Sequence, residues 1–152
     1  MIYQFRKHLT LFATGGLIYV LIELLWRGYS HWTMFLLGGL CFVIIGLINE
    51  LLPWTMYLWK QQFIAMGIVT ILEYITGCIV NLQLGWHVWD YTNLPLNIQG
   101  QVCLLFCVLW FFLAIPAILV DDYLRWKWYG ECLPVYYLTK DSEPFNPWKS
   151  LQ

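Results

Sequence analysis

The feature that most constrains this chain is a set of four long apolar runs, at residues 9–26, 32–52, 63–84 and 102–120. Each reaches the roughly 18 residues that a helix rising about 1.5 Å per residue needs to cross ~30 Å of hydrocarbon. None alternates with the period of two expected of a barrel strand, and a lipid-embedded backbone must satisfy its own hydrogen bonds, so α-helix is the expected conformation. Composition agrees: of 152 residues, 61% are hydrophobic and 11% charged, whereas soluble domains run near half apolar and a quarter charged. One small domain could not bury so many apolar side chains, so lipid must solvate many of them. The expected fold class is all-α, a polytopic membrane protein built as a four-transmembrane-helix bundle over residues 1–130, followed by a cytoplasmic tail over residues 131–152.

Charge sets the orientation. Arg6, Lys7, Lys60, Arg125, Lys127, Lys140 and Lys149 fall on the side of both termini, and Arg27 alone falls opposite. The positive-inside rule therefore predicts cytoplasmic N- and C-termini in the cell membrane. A net charge of −1 provides no field to recruit nucleic acid,. Trp26, Tyr29, Trp32, Trp54, Tyr57, Trp59, Trp86, Trp89 and Tyr91 cluster at span boundaries, as interfacial anchors do,. The first run lacks the small-residue cleavage site of a signal peptide and is expected to remain as a helix. The fourth is expected to continue to about residue 129, because Arg125 then stands four residues after Asp121 and Gly130 supplies the C-terminal cap,.

Ionisable groups within a span are costly and mark function or inter-helix glue. Glu73 lies at the middle of the third run, with Thr70, Gly77 and Asn81 on the same helical face,. With no Lys or Arg at its depth, its carboxyl is expected to be neutral, able to donate a hydrogen bond or carry a proton. Glu50 ends a Gly39, Gly46 stripe on the second run, and Glu23 precedes Arg27 by four residues, the favourable order for a helical ion pair,. Outside the spans, residues 85–101 hold no Lys or Arg but do hold His87, Asp90, Tyr91, Asn93, Pro95 and Asn97. This segment is expected to form a structured lid, with Asp90 as a partner for Arg27 and Asn97 capping the fourth helix. The five cysteines show no zinc spacing, so no metal or cofactor is expected,.

The stretch Asn81-Leu-Gln-Leu-Gly-Trp-His-Val-Trp-Asp-Tyr-Thr-Asn-Leu-Pro-Leu-Asn-Ile-Gln-Gly-Gln-Val-Cys103, preceded by Leu72-Glu-Tyr-Ile-Thr-Gly77, resembles the small bacterial membrane proteins described as putative ABC-transporter type IV, the CmpB-like family. The resemblance implies a multi-helix membrane protein with Glu73, Asp90, Tyr91, Pro95 and Asn97 at family-typical positions. It departs after Arg27-Gly28-Tyr29, where relatives carry Gly-Pro and Pro-Ile-Tyr-Gly and this chain has Ser30-His-Trp-Thr-Met-Phe-Leu-Leu-Gly-Gly39. These residues contain no Gly-x-x-x-x-Gly-Lys-Ser/Thr loop, so a transport role requires a separate ATPase subunit or an ion gradient.

The expected function is a permease-like or accessory transport subunit, homo-oligomeric because four short helices enclose little space. The alternative is a non-transporting scaffold or assembly factor whose polar stripes are glue. An intramembrane enzyme is a third class, disfavoured because no nucleophile and base are visible together.

Overall fold

A computed structural model describes residues 2–53 and 55–151. Trp54, one of the expected boundary aromatics, lies outside the described residues. Helix α1 covers Ile2–Arg27, α2 Trp32–Leu51 and α3 Leu58–Gly77, the last continuing as a π-helical segment, Cys78–Gln83. Two short strands, β1 (Asn97–Ile98) and β2 (Val102–Cys103), precede α4 (Leu104–Tyr129), and a 3-10 turn follows at Lys149–Leu151. All four helices, with α3 continued to Gln83, are long and apolar enough to cross a membrane. The 26 residues of α1 span about 39 Å, enough to project beyond the hydrocarbon,.

Local chemistry explains where the helices stop. Gly28, at φ 77°, takes the left-handed conformation that closes α1, and its N–H returns to the Leu24 carbonyl at 3.0 Å,. His31 caps α2, its Nδ1 accepting from the Thr33 N–H. Leu52, extended at ψ 155°, obeys the restriction that Pro53 places on the residue before it,. The end of α3 widens by one residue per turn: the Leu84 N–H bonds the Ile79 carbonyl five residues back, at 2.9 Å,. Gly130, at φ 67°, ends α4, with its N–H on the Trp126 carbonyl and that of Glu131 on the Arg125 carbonyl,.

Helices α1 and α2 form the closest pair. A Cβ at Gly16 would stand 2.6 Å from the Phe35 carbonyl oxygen, and one at Gly39 would stand 2.6 Å from that of Phe12. Only glycine permits this reciprocal approach of two backbones. One core joins Ile45 and Ile48 of α2 to Leu58 and Ala65 of α3, Ala114 and Ile118 of α4, and Tyr136 of the tail. A second, nearer the other end, packs Met34, Leu37 and Cys41 of α2 against Val80, Val88 and Trp89. Helices α1 and α4 meet sparingly, through the Tyr3 and Tyr129 rings and a small cluster of Leu11, Phe42 and Leu124 near the end that carries both termini, and through the Tyr19 and Trp110 rings, 6.0 Å apart, farther along.

Candidate functional site

The polar face of α3 is turned inward. Glu73 is 2% exposed, and both of its carboxyl oxygens are engaged. The Tyr91 hydroxyl donates to Oε1 at 3.1 Å, and Trp110 Nε1 of α4 donates to Oε2 at 2.9 Å. One turn earlier, Thr70 Oγ1 contacts Cys107 Sγ of α4 at 3.5 Å. One turn later, Gly77 is buried because a side chain there would strike Gln101 and Trp89. Asn81, at the π-helical turn, donates to Gln101 Oε1 at 2.8 Å and accepts the Val88 N–H at 2.7 Å. The stripe therefore faces α4 and the 85–101 segment together.

That segment is a folded plug that reaches back into the bundle. Val88 and Trp89 are buried, and Trp89 Nε1 donates to the Gln101 carbonyl at 2.9 Å. Tyr91 stacks on Phe106, with centroids 4.4 Å apart, which points its hydroxyl at Glu73. Burial and the neighbouring Glu73 carboxyl both raise the tendency of the Tyr91 phenol to keep its proton,. Asn97 braces the turn, donating to the Thr92 and Leu94 carbonyls and accepting the Gly100 N–H. His87, Asn93 and Pro95 lie exposed on its outer surface. His87 (φ 48°), Leu96 (φ 55°) and Gln99 (φ 53°) hold left-handed backbone without being glycine, a local strain that the folded turn must offset,.

Two expectations for this segment are corrected. Arg27 does not pair with Asp90: its Nη2 donates to Glu23 at 2.7 Å and its Nη1 to the Val88 carbonyl at 3.0 Å. The guanidinium thus ties α1 to the plug through backbone. Asp90 instead accepts the Thr92 N–H at 2.8 Å, which holds its carboxyl below the usual range,. Asn97 does not cap α4, because β1 and β2 pair between them and Cys103 occupies the cap position. Glu23, with Arg27 and Ser30 on its two oxygens, forms a separate cluster at the end of α1.

Glu50 belongs to the opposite end. There Lys7 Nζ stands 2.7 Å from both Glu50 and Glu131, and Arg125 pairs with Glu50 and Asp121. Alongside, Asn49 and Tyr136 each donate to Asp122 Oδ2 at 2.7 Å. Burial, and then the Asp122 carboxylate, push the Tyr136 phenol up,. Gly46 is bare because a Cβ there would occupy the Asp121 carboxyl.

Sequence reasoning did not anticipate this cluster, nor Gln101 and Trp110 as partners of the polar stripe. The one legible signal was the spacing of Asp121 and Arg125. Among the described residues no three His, Cys, Asp or Glu side chains gather as a metal site, and the five cysteines are free.

A cavity of about 160 Å³ lies beside Glu73, between all four helices. Tyr19, Glu73 and Trp110 are among the residues that line it, with Ile45, Pro116 and Val120 in its apolar wall.

No curated protein and no solved structure matches the chain. A family model described as putative ABC-transporter type IV matches residues 9–125, from the first span to the Arg125 cluster. With four apolar helices able to cross a membrane, the chain belongs to that family and is a multi-pass, transport-related membrane protein.

Proposed function

We propose that the protein is a permease-like or accessory transport subunit of the cell membrane, with both termini cytoplasmic, in which Glu73 and the 85–101 plug form the polar element of a substrate path. The observation that carries this reading is the Glu73 carboxyl itself. It is 2% exposed, pairs with no Lys or Arg among the described residues, and lines an internal cavity. A carboxyl held by two neutral donors in hydrocarbon is costly unless it serves a task. Tyr91 couples it to a plug closing the end of the bundle opposite the termini, so movement of the plug would bare one carboxyl oxygen. One copy encloses little space, so a continuous path is assigned to a homo-oligomer, and active transport to a separate ATPase subunit. The reading is non-enzymatic.

The scaffold reading has its own support: Thr70 and Asn81 both find partners within the chain, as glue would. Glu73→Gln distinguishes the two. The variant keeps the volume and loses the acid. Under the path reading it accumulates and assembles like wild type but fails to complement a strain lacking the gene. Full complementation supports the scaffold.

A further inference from the structure

The cavity beside Glu73 opens sideways. Ile18 and Ile22 of α1, which line it, are 37% and 41% exposed, and Pro116 on the facing edge of α4 is exposed as well. All three lie within apolar spans, so the mouth meets acyl chains and not water. The glycine seam holds α1 on α2, and α1 meets α4 sparingly, through Tyr19 and Trp110 beside the cavity and through Tyr3, Tyr129, Leu11 and Leu124 near the termini, which leaves the edge between the two helices open.

Chemically the interior is a hydrocarbon slot whose lining includes one carboxyl, Glu73, and one hydroxyl-bearing ring, Tyr19. A neutral carboxyl offers one O–H donor and about three acceptor positions, and at Glu73 the hydrogen bonds from Tyr91 and Trp110 take two of the acceptor positions. The volume, about 160 Å³, is close to that of engineered apolar cavities of ~150 Å³, which stay dry and admit benzene. It accommodates a length of chain with a small polar end, and is too small for a phospholipid headgroup or a hydrated ion. An ammonium or a carboxylate would carry its full desolvation cost to this depth, whereas a hydroxyl costs least to bring and can donate to Glu73.

We propose that this cleft is a lateral binding site for a membrane-dissolved long-chain alcohol, its hydroxyl donating to Glu73 and its chain leaving between Ile18 and Pro116 into the bilayer. The proposal rests on the path reading and deepens it by naming the substrate class and the side from which it enters.

The test uses the full chain in phosphatidylcholine nanodiscs with a long-chain alkanol carrying a diazirine next to the hydroxyl. After photolysis, adducts are expected on cavity residues such as Tyr19 and Val69. Excess unlabelled alkanol should compete, and the matching alkane should compete about tenfold less well, the loss expected for one hydrogen bond. Ala117→Phe, which fills the slot, should abolish the adducts. Ile18→Trp narrows the mouth from an exposed position and should reduce them even if the first variant folds poorly.

Adducts spread over lipid-facing residues such as Leu21, Leu25 and Phe112, or equal competition by the alkane, overturn the site. If wild type takes no cavity adduct while Glu73→Gln still fails to complement, lateral entry is wrong and the path reading stands. If the adducts form as described while Glu73→Gln complements fully, the binding site stands and the path reading falls.

Discussion

Tyr91 shows how much of the site depends on one atom. Its ring is fixed by the stack on Phe106, and its hydroxyl is one of two donors to Glu73. Tyr91→Phe retains the stack and leaves Glu73 Oε1 buried without that donor. A lost partner for a buried polar group costs ~1–3 kcal/mol. Thermal unfolding in detergent should show that loss, whereas a midpoint equal to wild type means that the hydroxyl does not bond the acid. Glu73 itself was legible in the sequence because a lone acid in an apolar run stands out locally. Its donors were not: Tyr91 lies 18 residues away and Trp110 lies 37 away, and Trp110 looks like any other aromatic of an apolar run. The expected pairing of Asp90 with Arg27 failed for a related reason. Proximity of opposite charges can be guessed from loops, but a backbone carbonyl competing for the guanidinium, and an N–H competing for the carboxylate, cannot.

At the level of elements, hydropathy made the four helices readable, since each run reports its own solvent. The departures cluster where tertiary pairing overrides local pattern. Val102 and Cys103 are apolar enough to start a helix, yet they pair with Ile98 and Asn97, and α4 begins at Leu104. The α1–α2 seam gives the sharpest element-scale prediction. Gly39 faces the Phe12 carbonyl oxygen, which a Cβ would approach to 2.6 Å, so Gly39→Ala must push two backbones apart. Overpacking of this kind costs ~1–3 kcal/mol. Gly67, which has open space around it, is the control: Gly67→Ala should be neutral or slightly stabilising through helix propensity,. Equal melting temperatures for the Gly39 and Gly67 variants would contradict the close approach.

Across the whole molecule, the two ends are closed by different means. The plug end relies mainly on neutral hydrogen bonds converging on Asn81 and Gln101, with one charged donor, Arg27, on the Val88 carbonyl. The end with the termini relies on a charge cluster joining α1 through Lys7, α2 through Glu50, α4 through Asp121 and Arg125, and the tail through Glu131. Arg125 is 3% exposed, so Arg125→Ala leaves the buried Asp121 an unpaired acid and Glu50 with Lys7 alone, a loss of roughly 3–5 kcal/mol for a broken buried pair,. The expected outcome is low abundance in membranes, partly restored by Asp121→Asn in the same chain. No rescue would mean that the two side chains are not coupled. Sequence reading placed Glu50 at the end of a glycine stripe and missed this lock, because pairing among four separate segments leaves no periodic trace.

Between these two closures lies the feature on which the functional account depends, an acid shielded from water on both sides and reachable from the hydrocarbon. Carbodiimides, which add to protonated carboxyls, test this directly. In intact membranes a lipid-soluble carbodiimide should modify the peptide containing Glu73, a water-soluble one should not, and Glu73→Gln should remove the adduct. Modification of Glu73 by the water-soluble reagent at an equal rate would contradict the account.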